Sequence, residues 1–173
     1  SLALLGEALN ATPRVNRMIS LIEQRLARID QGLAELELAE NPSEPPRVLI
    51  NIAPGVKVDC CRTNLRNGLA DLVARAGGKN IADALTPGAS ATLSNEWVLS
   101  PPPEVVINTA GQWAAGDGIS VGLGVSDAEV AQDLRSLSQE LPGWQHLDAV
   151  QQERFYALWH GFHQGPFAIV ALE

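Results

Sequence analysis

At 173 residues, 46% hydrophobic and 18% charged, the chain has the size and composition of one globular α/β domain, long enough to bury a core without metals or disulfides. A formal net charge of −8, with Lys57 and Lys79 the only lysines, argues against nucleic acid or an anionic membrane surface as partner. No apolar run approaches the roughly 18 residues of a membrane span, and Ser1-Leu-Ala-Leu-Leu lacks the charged start and cleavage site of a secretory signal.

The first predicted element is a long helix. Thr12 suits the N-cap and Pro13 the first helical position. Apolar residues then recur at Val15, Met18, Ile19, Ile22, Leu26, Ile29, Leu33 and Leu36 with helical spacing. Unbroken to Ala39, this helix would run roughly 40 Å, more than a compact domain of this size normally uses. An amphipathic helix on its own sheet, a coiled-coil partner and a strut between two lobes all remain open for it. Asn41-Pro-Ser-Glu-Pro-Pro46 ends the segment, because proline cannot continue a helix. Residues 1–46 are therefore set apart from 47–173.

An α/β alternation follows. Val48 to Ile52 is a continuous apolar run, as expected of a strand covered on both faces. Ala53-Pro54-Gly55 breaks it, and a helix over Leu65–Ala76 carries Leu65, Leu69, Leu72 and Val73 on one face, with Gly77 as its C′ glycine. Ser94 caps a short helix with Glu96 in its first turn, where a negative charge complements the helix dipole. Pro101-Pro-Pro103 precedes a strand over Val105–Asn108, and Thr109 to Val125 is a loop rich in glycine. A helix over Asp127–Ser138 capped by Ser126, a last strand over Arg154–Leu158 and a final helix from Pro166 complete the pattern. Strands alternating with helices predict an α/β fold: a mainly parallel, Rossmann-like, doubly wound sheet flanked by helices and preceded by the long N-terminal helix.

Enzymatic signatures do not hold. Gly122-Leu-Gly124 lacks the third glycine and the strand-to-helix position of a dinucleotide fingerprint, and no phosphate-cradling Gly-Lys-Ser/Thr loop exists. His160 and His163 are three apart, but Gly161 and Gly165 favour a loop there and no third ligand is near in sequence, so no metal site is assigned. The adjacent Cys60 and Cys61 could close only a tight ring, so a structural disulfide is not expected, and no local context supports a Cys–His nucleophile.

Ligands of open α/β sheets sit beyond the carboxyl ends of the strands. Three segments of this chain fall there: Cys60-Cys-Arg-Thr-Asn64, Asn108-Thr-Ala-Gly-Gln-Trp113 and Trp159-His-Gly-Phe-His163. They supply Arg62, Thr63, Asn64, Gln112, Trp113, Trp159, His160 and His163 as candidate ligand-binding residues. Aromatic faces with a few donors and one guanidinium suit a large, rigid, partly anionic ligand. Trp159 and Phe162 as ordinary core residues remain the alternative.

The order of these motifs carries a resemblance. Arg47-Val-Leu-Ile-Asn, Ala76-Gly-Gly-Lys-Asn-Ile81, Leu93-Ser-Asn-Glu-Trp-Val-Leu99 followed by Pro103-Glu-Val-Val-Ile107, then Leu141-Pro-Gly-Trp-Gln-His-Leu-Asp-Ala-Val150 and Arg154-Phe-Tyr-Ala-Leu-Trp-His160 stand in characteristic succession. Together they resemble the C-terminal lobe of the periplasmic substrate-binding proteins that serve ABC importers of iron–siderophores, haem and cobalamin. The resemblance implies that residues 1–46 hold an inter-lobe backbone helix and linker, and that a signal and an N-terminal lobe lie upstream. It implies non-enzymatic capture of a metal chelate, with no cofactor of the protein's own, by a monomer in the periplasm or anchored there by lipid. It also implies delivery to an inner-membrane ABC permease, with Glu96 as the docking carboxylate. The competing class is an enzyme on a chelatase-like or nitrogenase-like scaffold that uses the His160/His163 loop.

Overall fold

The computed structural model of the protein describes residues 2–37, 44–56, 60–66, 68–85, 88–112 and 118–163. The chain forms two units, Ser1–Ser43 and Glu44–Leu172. In the first, a short helix α1 (Leu2–Ala8) precedes the long helix α2 (Thr12–Glu37) of 26 residues, about 39 Å at 1.5 Å per residue. The long helix matches its expected course through Glu37. Its predecessor was not anticipated, because seven residues are too few to display a helical period. Gly6 lets the two helices close: a Cβ there would lie 3.0 Å from Val15 Cβ.

The second unit holds a four-stranded parallel sheet built from β1 (Arg47–Ile52), β3 (Lys79–Asn80), β5 (Val105–Ala110) and β6 (Phe155–Trp159), in the order β3-β1-β5-β6. A small antiparallel pair, β2 (Arg62–Asn64) with β4 (Ser90–Thr92), lies outside it. Helix α3 (Leu69–Arg75) links β1 to β3, and α5 (Asp127–Glu140) lies between β5 and β6 in the chain. The short helices α4 (Asn95–Val98) and α6 (Asp148–Gln151) and the 3-10 turns Trp144–His146 and His160–His163 complete the described elements. The expected final helix from Pro166 lies outside the described residues.

Sequence and structure diverge in three places. The helix expected from Leu65 starts at Leu69, because residues 62–64 pair with β4 and Leu65 N donates to Ala89 O. Gly68, at φ +56°, then opens the helix. Its end is as expected: Gly77 at φ +81° donates to Ala74 O and Gly78 to Val73 O, the two bonds of a Schellman stop. Secondly, the short strands β2, β3 and β4 were not anticipated; runs of two or three residues leave no alternation to read. Thirdly, Cys60 and Cys61 are joined as a disulfide across a cis peptide bond, correcting the expectation of two separate side chains.

The sheet separates two cores. On the α5 face, Leu49 and Val106 pack with Leu137, Leu141, Trp144 and Leu147. On the α3 face, Val48 and Ile50 meet Leu69, Ala70 and Val73. A polar ladder crosses three adjacent strands, β1, β5 and β6: Asn51 Nδ2 donates to Asn108 Oδ1 at 3.0 Å, and Asn108 Nδ2 to Tyr156 O at 3.1 Å, with both asparagines fully buried.

Candidate functional site

The strand order defines where a ligand would sit. From β1 the chain crosses to β3 on one side, whereas from β5 it crosses to β6 on the other. The switch therefore falls between β1 and β5, and the crevice of such a sheet opens at the carboxyl ends of those strands. Ile52 is level with Thr109, and Ala110 with Trp159, so these three strands end side by side. Ala53 N donates to Thr109 Oγ1 at 2.9 Å, tying the first residue past β1 to β5. The loops beyond converge closely: a Cβ on Gly55 would lie 3.1 Å from Gly118 Cα.

Three of the expected residues, Gln112, Trp159 and His160, lie along this edge. Gln112 stands two residues past β5, exposed, and its Nε2 donates to Leu123 O at 3.3 Å. Trp159 ends β6, and His160 opens the 3-10 turn that follows. The indole of Trp159 meets the Phe162 ring at 5.0 Å with 61° between planes, both half-buried. Burial pushes the His160 imidazole below its ordinary value of 6.5, favouring the neutral form. Asn64 lies away from that edge: its carbonyl accepts from Asn80 Nδ2 at 2.8 Å, and Asn80 is level with Val48 near the start of β1. Arg62 is exposed and shares a face of β2 with Asn64, because side chains alternate along a strand. The same alternation turns Thr63 inward, where it is fully buried. Trp113 and the side chain of His163 lie outside the described residues. Among the described residues, no three His, Cys, Asp or Glu come together as metal-ion ligands.

Glu96 stands apart from this edge, fully exposed at the start of α4. Its own backbone N–H, then the Ser94 hydroxyl, hold its carboxyl below the ordinary value of 4.5. Ser94 Oγ also accepts from Trp97 N at 3.2 Å, the expected N-cap bond. The helix is pinned from beneath by a residue the sequence did not single out. Asn95 accepts from the indole of fully buried Trp144 at 2.6 Å and donates to Pro142 O at 2.8 Å. Beside α4 lies a cleft of about 400 Å³, walled by Leu65, Leu93, Ser94 and Trp97 among others.

No family model matches the sequence, and no curated protein matches it. Solved structures do. The TroA-like periplasmic binding protein FepB from Veillonella parvula superposes with a TM-score of 0.84 at 21% identity, over 99% of this chain and 48% of its own. The periplasmic haem-binding protein RhuT from Roseiflexus sp. RS-1, in apo form, gives 0.66 at 26% identity, over 99% and 57%. An Fe3+-hydroxamate transport protein from Saccharomonospora viridis gives 0.66 at 15%, over 99% and 51%. The chain has the fold of TroA-like periplasmic binding proteins and spans about half the length of those it matches. These neighbours are solute-binding proteins and lend the competing enzyme reading no support.

Proposed function

We propose that this chain is the C-terminal lobe of a substrate-binding protein of an ABC importer, periplasmic or lipid-anchored, which captures a metal chelate such as a ferric siderophore, haem or cobalamin. The observation that carries the reading is the carboxyl edge of the sheet. Gln112, Trp159 and His160 come to one row of strand tips, on a fold whose solved examples include haem-binding and Fe3+-hydroxamate transport proteins. Arg62 adds the cation for an anionic ligand, and Trp113 and His163 belong to the same three segments. Thr63, being buried, supports the β2 strand from within. Capture is non-covalent: aromatic and aliphatic faces bury ligand surface while a few donors fix its orientation. A second lobe closes the other wall, and the long helix α2 is the strut that keeps lobe motion small. The full-length protein acts as a monomer.

Delivery uses a different surface. Glu96 is an exposed carboxylate, charged at neutral pH, on a helix start fixed by Asn95 and Trp144. It suits a cationic partner, the arginines of a membrane permease, with charge complementarity setting encounter and orientation.

Tryptophan fluorescence of the full-length protein, titrated with haemin, a ferric hydroxamate and cyanocobalamin, tests the capture reading: saturable quenching by at least one is expected, and none with any would overturn it. Glu96→Ala should leave that affinity unchanged and lower permease-dependent uptake. Loss of ligand affinity in this variant would refute the docking role.

A further inference from the structure

The most exposed large apolar residue among those described is Leu123, at 85%. A lone exposed leucine ordinarily means little, but this one is held in place by its surroundings. Val125 N donates to Gly122 O at 3.3 Å, closing a four-residue turn with Leu123 and Gly124 at its centre. Gly124, at φ +83°, occupies the position where a type II turn needs a left-handed residue. Turn centres usually carry polar residues or glycine and proline; here a leucine stands at the tip. Gln112 grips the turn from the side, its amide donating to Leu123 O at 3.3 Å. Gly122 makes that grip possible, since a Cβ there would lie 3.2 Å from the Gln112 side chain. One further bond steadies the approach to the turn: Gly111 N donates to Ile119 O at 3.1 Å. Gln112 is itself two residues past the end of β5, so the leucine is displayed at the carboxyl edge, beside the strand tips that end in Trp159 and His160.

We propose that Leu123 is an apolar anchor for the ligand, packing on the hydrocarbon face of a chelate or macrocycle while Gln112 holds the turn in its binding shape. This rests on the reading of the chain as a chelate-binding lobe. With the backbone of the turn already held and the side chain out of contact with its own protein, binding orders little but the leucine rotamer, and most of its burial contributes to affinity. The role also explains why a helix-to-strand fold spends two glycines and a glutamine side chain on one exposed leucine.

The test uses the full-length protein, with haemin, ferrioxamine and cyanocobalamin as probes. Leu123→Ser should weaken binding of whichever probe the unaltered protein takes by about tenfold, with the thermal melt unchanged. Leu123→Met, which keeps volume and hydrophobicity, should stay within about threefold of the original. Equal affinity for the serine variant would overturn the anchor role alone. A serine variant that melts earlier but binds as before would overturn it too, and would assign Leu123 to packing within the protein. An unaltered protein that binds none of the three probes would bring down the chelate-binding reading and this inference with it.

Discussion

Val106 and Ile107 are neighbours on β5, yet they face different worlds. Val106 is fully buried on the α5 side, within a core that gathers Leu49, Leu137, Leu141 and Trp144. Ile107 is half-buried on the α3 side, at the wall of a cavity of about 210 Å³ that it shares with Leu72, Val105 and Leu158. Tyr156, next along on β6, is 50% exposed. Among the described residues, one face of the sheet is closely packed, and the other is closely packed only where α3 meets Val48 and Ile50 of β1. The strands are nonetheless apolar on both sides, as in parallel sheets generally. Sequence pattern thus specifies that both faces are built for cover, while the degree of cover is set by which helix lies where.

The largest effect should come from breaking the sealed face at its centre. Trp144 is fully buried, meets Phe155 edge-on at 5.9 Å, and donates to Asn95. Trp144→Ala removes a large aromatic and leaves Asn95 without its indole partner, so urea unfolding should show a loss of about 3–5 kcal/mol. A loss under about 1 kcal/mol would mean that this core is not the dominant one. The paired substitutions Val106→Ala and Ile107→Ala sharpen the contrast. The valine change should cost about 2 kcal/mol, and the isoleucine change about 1 kcal/mol despite deleting more atoms, because its site already borders empty space. The reverse order would show that the α3 face is the better packed.

The sequence showed the main strands and the long helix clearly, because short apolar runs bounded by proline and glycine and a helical stripe over several turns leave little ambiguity. Ser94, Ser126 and Gly77 marked helix ends correctly, since capping depends on the residue itself. What depends on partners distant in sequence was not legible. The β2–β4 pairing displaced the start of α3, and nothing local to residues 62–64 announces a strand partner at residues 90–92. The role of Trp144 as the lock on Asn95 joins residues 49 apart. At the candidate site, topology alone led to the segments that follow β5 and β6, whereas the pairing of residues 62–64 with β4 and the inward turn of Thr63 required partners distant in sequence to be known. Leu123 was hidden between two glycines that spelled only an incomplete nucleotide motif; the useful signal was an apolar residue at the tip of a turn.

The smallest effect distinguishes the helices that cover the two faces. Helix α3 begins at Gly68 with no side-chain cap, whereas α5 begins with a complete capping box: Ser126 Oγ accepts from Glu129 N, and the Glu129 carboxylate accepts from Ser126 N at 2.7 Å. The Ser126 backbone N–H, then its hydroxyl, lower the Glu129 pKa from the ordinary 4.5. A carboxyl whose folded pKa is depressed contributes stability that is present above the unfolded value and lost as pH falls through the folded one. Glu129→Gln should therefore be slightly less stable than the unaltered protein at neutral pH, with the gap closing as pH drops below 4.5. Hydrogen exchange gives a local readout: the first-turn amides of α5 should lose protection in the variant at neutral pH, while those of α3 stay as they were. A gap that persisted undiminished into strong acid would show that the charge of Glu129 plays no part, and would leave the Ser126 hydroxyl as the only effective cap of the α5 face.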